Sequence, residues 1–131
     1  MIKKKVSFDE IIKKINEIDF PDVDIIVAIA HGGIVPGAII ANLLKKDFSI
    51  IYLNYRDESN NPYYNEPKLL KELDFDYKNK KILIVDDVSR TGKTLSKAKE
   101  ILNSNVKTFV INGKADYSLY NCDECLQLPW N

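Results

Sequence analysis

Asp86 and Asp87 are adjacent carboxylates, and after Val88 come Ser89, Arg90, Thr91, Gly92, Lys93 and Thr94. No other stretch gathers so many groups able to do chemistry. The hydroxyls, the cations and the conformationally permissive Gly92 suit a phosphate, since a turn opening a helix presents free N–H groups and the positive end of the helix dipole. The two acids cannot favour a phosphate. They must face something else, such as sugar hydroxyls or a metal-bound diphosphate.

The flanking residues supply the elements that hold this group. Ile82, Leu83, Ile84 and Val85 form an unbroken apolar run, the pattern of a strand buried on both faces, with the acids where it should end. Leu95, Ala98, Ile101 and Leu102 share one face of a helix over 95–102. A second device of the same kind lies upstream. Val23 to Ala30 reads as a strand, His31-Gly32-Gly33 as a turn, and Ile34 to Leu44 as a helix with Pro36 in its first turn. Gly-Gly lets backbone amides approach an anion closely. A Walker A loop would need glycine at position 87, where Asp87 stands, so Gly92-Lys93-Thr94 is not the end of one.

Val85 to Thr94, VDDVSRTGKT, resembles the signature of the type I phosphoribosyltransferases, and His31 to Gly37, HGGIVPG, resembles their diphosphate loop. The purine enzymes of the xanthine–guanine and hypoxanthine type are closest in pattern. The resemblance implies an α/β fold, a Rossmann-like parallel sheet flanked by helices, as one domain over 1–131 with a reduced hood. It implies phosphoribose transfer from 5-phosphoribosyl-1-diphosphate to a nucleobase, first a purine, as in nucleotide salvage. Asp86 and Asp87 would hold the ribose hydroxyls and Mg2+, directly or through water. Ser89, Arg90, Thr91, Gly92, Lys93 and Thr94 would take the 5′-phosphate, and His31, Gly32 and Gly33 the diphosphate. Lys114, after a strand over 106–111, matches a lysine that binds the exocyclic oxygen of a 6-oxopurine.

The closing segment CDECLQLPWN, with Pro129-Trp130, resembles the ending of the same enzymes and sets Leu126 at the aliphatic place beside the base. Cys125 then stands where a stacking aromatic is usual, and Trp130 reads as a packing anchor. Arg90 occupies the place of an aspartate assigned general acid/base work, and arginine accepts no proton in this range. His31 replaces an Arg or Lys. The sugar-phosphate half of the site therefore matches and the base half departs. Two other readings stay open: a non-catalytic or regulatory protein that binds phosphoribosyl diphosphate, and a transferase acting on a non-purine nucleophile.

The rest of the chain bounds these readings. Its 131 residues suit one core, and 19 basic against 19 acidic residues argue against a nucleic-acid face. No apolar run approaches a membrane span, and Met1 to Lys5 leads into no signal segment, so a cytoplasmic protein is expected. Cys122 and Cys125 lack further ligands for zinc and read as reduced thiols. Ser7 to Glu10 is a capping box opening a packing helix over 8–18, with Phe8, Ile11, Ile12, Ile15 and Ile18 in register. Phe48 to Tyr55 reads as a strand. The polar run 56–79 reads as a functional loop or a simple excursion, with a possible helical turn over 68–73. The resemblance makes it a closing hood with Arg56, Tyr63 and Tyr64 as contacts, and makes a homodimer the expected assembly.

Overall fold

The computed structural model describes residues 4–54, 67–103, 105–123 and 126–130. The elements are β1 (Lys4–Lys5), α1 (Phe8–Asn16), β2 (Ile25–Ala30), α2 (Ile34–Leu44), β3 (Asp47–Asn54), β4 (Lys68–Leu69), β5 (Lys81–Ser89), α3 (Lys93–Leu102), β6 (Asn105–Gly113), β7 (Tyr117–Tyr120) and β8 (Leu126–Gln127). Six strands form one sheet in the order β4-β3-β2-β5-β6-β7, parallel except for the β3–β4 pair. This is the α/β architecture expected from the alternation of apolar runs and helical periods.

The apolar runs of β2 and β5 fill two cores, because successive side chains leave a strand on opposite faces. Ile26, Leu83, Val85, Phe109 and Ile111 pack with Ile11 and Ile15 of α1 and Ile40 and Ala41 of α2. Ile25, Val27, Ile29, Ile82, Ile84 and Val110 pack with Leu95, Ala98 and Leu102 of α3. A strand with no polar face is thus sandwiched between helices, as its composition requires.

The chain passes from β2 through α2 to β3 on one side, then returns to β5 on the other side of β2 and continues through α3 to β6. Strand order therefore reverses between β2 and β5, where open sheets of this kind bind ligands. The β2–β5 ladder runs from Ile25 opposite Ile82 to Ala28 opposite Val85. The loops beyond it are left to face one another.

Three elements differ from expectation. β5 does not end at Val85; it continues through the acids because β6 keeps pairing, Asp86 with Val110 and Val88 with Asn112. Residues 68–73 do not start a helical turn: Lys68–Leu69 pairs antiparallel with β3, and Leu70 N–H donates to the Tyr52 carbonyl, which gives the edge of β3 a partner. The first helix stops at Asn16, two residues short of Ile18.

The capping residue at Ser7 is as expected. Its Oγ accepts from Glu10 N–H at 3.1 Å. The Glu10 carboxylate, however, accepts from the Tyr120 hydroxyl, tying α1 to β7. Ser7→Ala is expected to cost about 1 kcal/mol of stability in a urea titration, the usual worth of such a cap. An unchanged midpoint would mean that packing of Ile11 and Ile15 alone holds the helix.

Candidate functional site

The site forms where the β2 and β5 loops meet. Gly32 follows β2 by two residues, and its Cα lies so close to the Asp87 side chain that a Cβ there would fall inside the carboxyl group. Gly33 lies equally close to the Val85 carbonyl oxygen, backbone against backbone. Glycine at both positions is thus a packing requirement. It brings the His31-Gly32-Gly33 turn and the acid pair into one crevice. The Ala30–His31 peptide is cis.

Asp86 is 8% exposed and Asp87 half-buried. Asp87 N–H donates to Asp86 Oδ1 at 2.8 Å, and Val88 N–H donates to Asp87 Oδ1 at 2.7 Å. Burial holds the Asp86 carboxyl well above the ordinary carboxylate range, and the adjacent Asp87 charge pushes the same way. Successive side chains of a strand start toward opposite faces, but the Asp86 and Asp87 carboxyl groups come together in a direct side-chain hydrogen bond. Asp87 also meets the glycine turn, so the acid pair and the turn share one crevice.

The loop between β5 and α3 is Arg90-Thr91-Gly92. Gly92 adopts φ 80°, a left-handed conformation that glycine takes without a Cβ penalty, and caps α3. Thr91 Oγ1 accepts from Lys93 N–H at 3.3 Å. Arg90, Thr91 and Lys93 are exposed, while Ser89, Gly92 and Thr94 are half-buried. The first-turn N–H groups of α3 have no partner within the helix and face an anion from this loop favourably.

At the other end of the crevice, β5 and β6 pair as far as Ser89 opposite Gly113. Gly113 has φ 127° and presses against the Ser89 carbonyl oxygen. Lys114 comes next and is exposed, leaving β6 beside the residue that leads into Arg90. Leu126 pairs with Lys4 in the small β1–β8 sheet and is buried against the α1 core. Trp130 packs against Phe8 with the rings tilted at 50° and their centroids 6.0 Å apart, which is a packing position. Cys122 is a free thiol. Arg56, Tyr63, Tyr64 and Cys125 lie outside the described residues.

Three contributors went unnoticed in the sequence. Tyr52 pairs with Ala30 at the end of the β2–β3 ladder, and its ring meets His31 edge-on at 6.3 Å. Lys71 places its ammonium 4.4 Å from the centre of the Tyr52 ring. Asn112 is buried at 5% exposure on β6, where its amide donates to the Cys122 carbonyl at 3.2 Å and accepts from Cys122 N–H at 3.0 Å. Asn112 was the most legible of the three, being a polar residue inside an apolar run. Tyr52 and Lys71 carried no local signal, since only strand pairing brings them to the turn.

Among the described residues no group of three or more His, Cys, Asp or Glu could cage a metal. The Asp86–Asp87 pair nevertheless fits Mg2+. Carboxylate oxygens are its preferred donors, and an ion held by one or two carboxylates takes its other oxygens from phosphates and water. A divalent cation would also offset the repulsion between the two carboxylates, which adds to burial in raising the Asp86 pKa. No described helix is long and apolar enough to cross a membrane.

Comparison with known proteins identifies the family. A family model described as a phosphoribosyl transferase domain matches residues 3–109. An orotate phosphoribosyltransferase of Sulfurisphaera tokodaii is 38% identical over 100 residues, covering 76% of this chain and 47% of that protein. The transcriptional regulator GfcR of Archaeoglobus fulgidus is 30% identical over 98 residues, covering 74% of this chain and 47% of the regulator. The chain thus spans about half the length of the curated relatives it matches. A purine phosphoribosyltransferase of Pyrococcus horikoshii has the same fold, with a TM-score of 0.81, 23% identity and coverage of 99% of this chain and 94% of that one.

Proposed function

The chain belongs to the phosphoribosyl transferase domain family, and on that premise we propose that it transfers phosphoribose from 5-phosphoribosyl-1-diphosphate to a nucleobase. The observation that carries the reading is the contact of Gly32 with the Asp87 carboxyl group, which joins the diphosphate turn to the acid pair. A ribose with its diphosphate on C1, next to the carbon bearing the 2′-hydroxyl, needs those two features side by side. Residues 1–131 act in this reading as one phosphoribosyltransferase domain, cytoplasmic and homodimeric. The apolar α2, with Leu43 exposed, supports the dimer.

In the proposed mechanism Asp86 and Asp87 accept from the ribose hydroxyls and favour the positive charge that develops on the ring as diphosphate leaves, a preorganised electrostatic effect. Mg2+, held by the same carboxylates, would neutralise the leaving group. Ser89 to Thr94 bind the 5′-phosphate through backbone N–H groups and the hydroxyls of Thr91 and Thr94, with charge from Arg90 and Lys93. His31, Gly32 and Gly33 bind the diphosphate.

For the acceptor, a purine is the first reading, with Lys114 on an exocyclic oxygen and Leu126 beside the base. The orotate relatives support a pyrimidine instead. Arg90 favours that second reading, because it cannot take a proton from a purine nitrogen as an aspartate would. The likeness to a transcriptional regulator supports a third, in which the pocket senses phosphoribosyl diphosphate without turnover. Diphosphate release with Mg2+ and a panel of hypoxanthine, guanine, xanthine, adenine, uracil and orotate tests all three. Base-dependent release is expected with one class of base. No release together with tight calorimetric binding of phosphoribosyl diphosphate would leave the sensor, and neither would sink the family's chemistry here.

A further inference from the structure

His31 brings a single imidazole to a turn that would have to hold a leaving group as highly charged as diphosphate. It is also the only histidine in the chain. The cations of the Arg90–Lys93 loop belong to the opposite, 5′-phosphate end of the crevice. The diphosphate turn itself contains no Lys or Arg from His31 to Leu44.

A permanent cation nevertheless stands beside that turn. Tyr52 is held there by the β2–β3 ladder, in which it pairs with Ala30, the residue before His31. Its carbonyl accepts from Leu70 N–H, which fixes the chain just before Lys71. The Lys71 ammonium rests 4.4 Å from the Tyr52 ring centre, and the same ring meets His31 at 6.3 Å. A cation–π contact at an exposed site is weak, so it localises an ammonium without committing it. An incoming polyanion competes for it easily, because a charge-assisted hydrogen bond to phosphate is stronger than the ring contact.

We propose that Lys71, parked on Tyr52, is a diphosphate-binding residue that brings an ammonium to a turn containing no Lys or Arg of its own. Resting on the phosphoribosyltransferase reading, it adds to that site a residue from the segment after β4. The Tyr52 ring sets the ammonium's resting place and orients the imidazole edge-on, so that both can turn toward the same phosphate.

Calorimetric titration of the full chain with inorganic pyrophosphate in the presence of Mg2+ tests this, comparing wild type with Lys71→Gln, Lys71→Arg and Tyr52→Leu. Lys71→Gln is expected to weaken pyrophosphate binding on the order of tenfold, the loss of one charged hydrogen bond. Lys71→Arg should retain most of the affinity. Tyr52→Leu should fall between them, and inorganic phosphate, which addresses the 5′-phosphate loop, should bind all four proteins alike. Equal pyrophosphate affinity in wild type and Lys71→Gln would overturn the role of Lys71 and leave the transferase reading standing. Failure of wild type to bind either pyrophosphate or phosphoribosyl diphosphate would remove both.

Discussion

Replacing Asp86 and Asp87 together by asparagine should abolish base-dependent diphosphate release, lowering turnover by at least about 10²–10³-fold, while the chain folds normally. Asparagine keeps the size of each side chain. It also keeps the Oδ1 acceptors that Asp87 N–H and Val88 N–H use at 2.8 and 2.7 Å, so the backbone of β5 has no reason to move. What disappears is the negative charge that the proposed mechanism sets against the ribose ring, and with it the carboxylate hold on a divalent cation. Release that survives the double substitution would show that the acids are structural and that catalysis lies elsewhere.

The same residues should trade activity against stability. Asp86 is buried and keeps its proton to higher pH in the folded chain than in the unfolded one. Over the interval between those two pKa values the folded state binds more protons, so stability falls as pH rises through it. The favourable contribution is complete below the ordinary carboxylate value of 3.8 and is lost once the pH passes the raised folded value. Asp86→Asn has no such loss. Its melting temperature should therefore exceed wild type near neutral pH by a few degrees, and the gap should close on acidification. A gap that widened in acid would reverse the sign and place the ionised Asp86 in a favourable contact.

Much of this site was legible from residue types because its parts are local. A strand that must be buried on both faces cannot be polar, and a turn that must admit an anion needs glycine, so Ile82 to Val85 and Gly32-Gly33 announce themselves. The two strand-turn-helix units also point to the strand ends at which the proposed ligands would sit. What escaped notice depended on pairing. Nothing in the run 82–87 says that β6 will carry the ladder through the acids, and β4 exists only because the edge of β3 lies open to it. The short β1 and β8 strands are two residues each and have no period of their own; their pairing joins the two ends of the described chain. Tyr52 and Lys71 are brought to His31 by the same kind of long-range contact.

Gly32→Ala and Gly33→Ala should separate function from folding although they are neighbours in one turn. At Gly32 the added methyl would collide with the Asp87 carboxyl, a side chain that can rotate away. The chain should stay folded, with stability lowered by about 1–2 kcal/mol, but Asp87 would leave the crevice and turnover would drop by about a hundredfold or more. At Gly33 the methyl would collide with the Val85 carbonyl oxygen and lie within 2.9 Å of the Ile29 carbonyl oxygen. Both are main-chain atoms of central strands, and Gly33 N–H itself donates to Ile29 at 2.8 Å. Neither can yield without separating β2 from β5, so Gly33→Ala should cost about 3 kcal/mol or more. Urea titration alongside an activity assay distinguishes the two. If Gly33→Ala were as stable as Gly32→Ala, the close approach of turn and strand would not be the constraint that demands glycine. If Gly32→Ala kept full turnover, the Asp87 carboxyl would not need its place against the diphosphate turn, and the contact that carries the functional reading would lose its meaning.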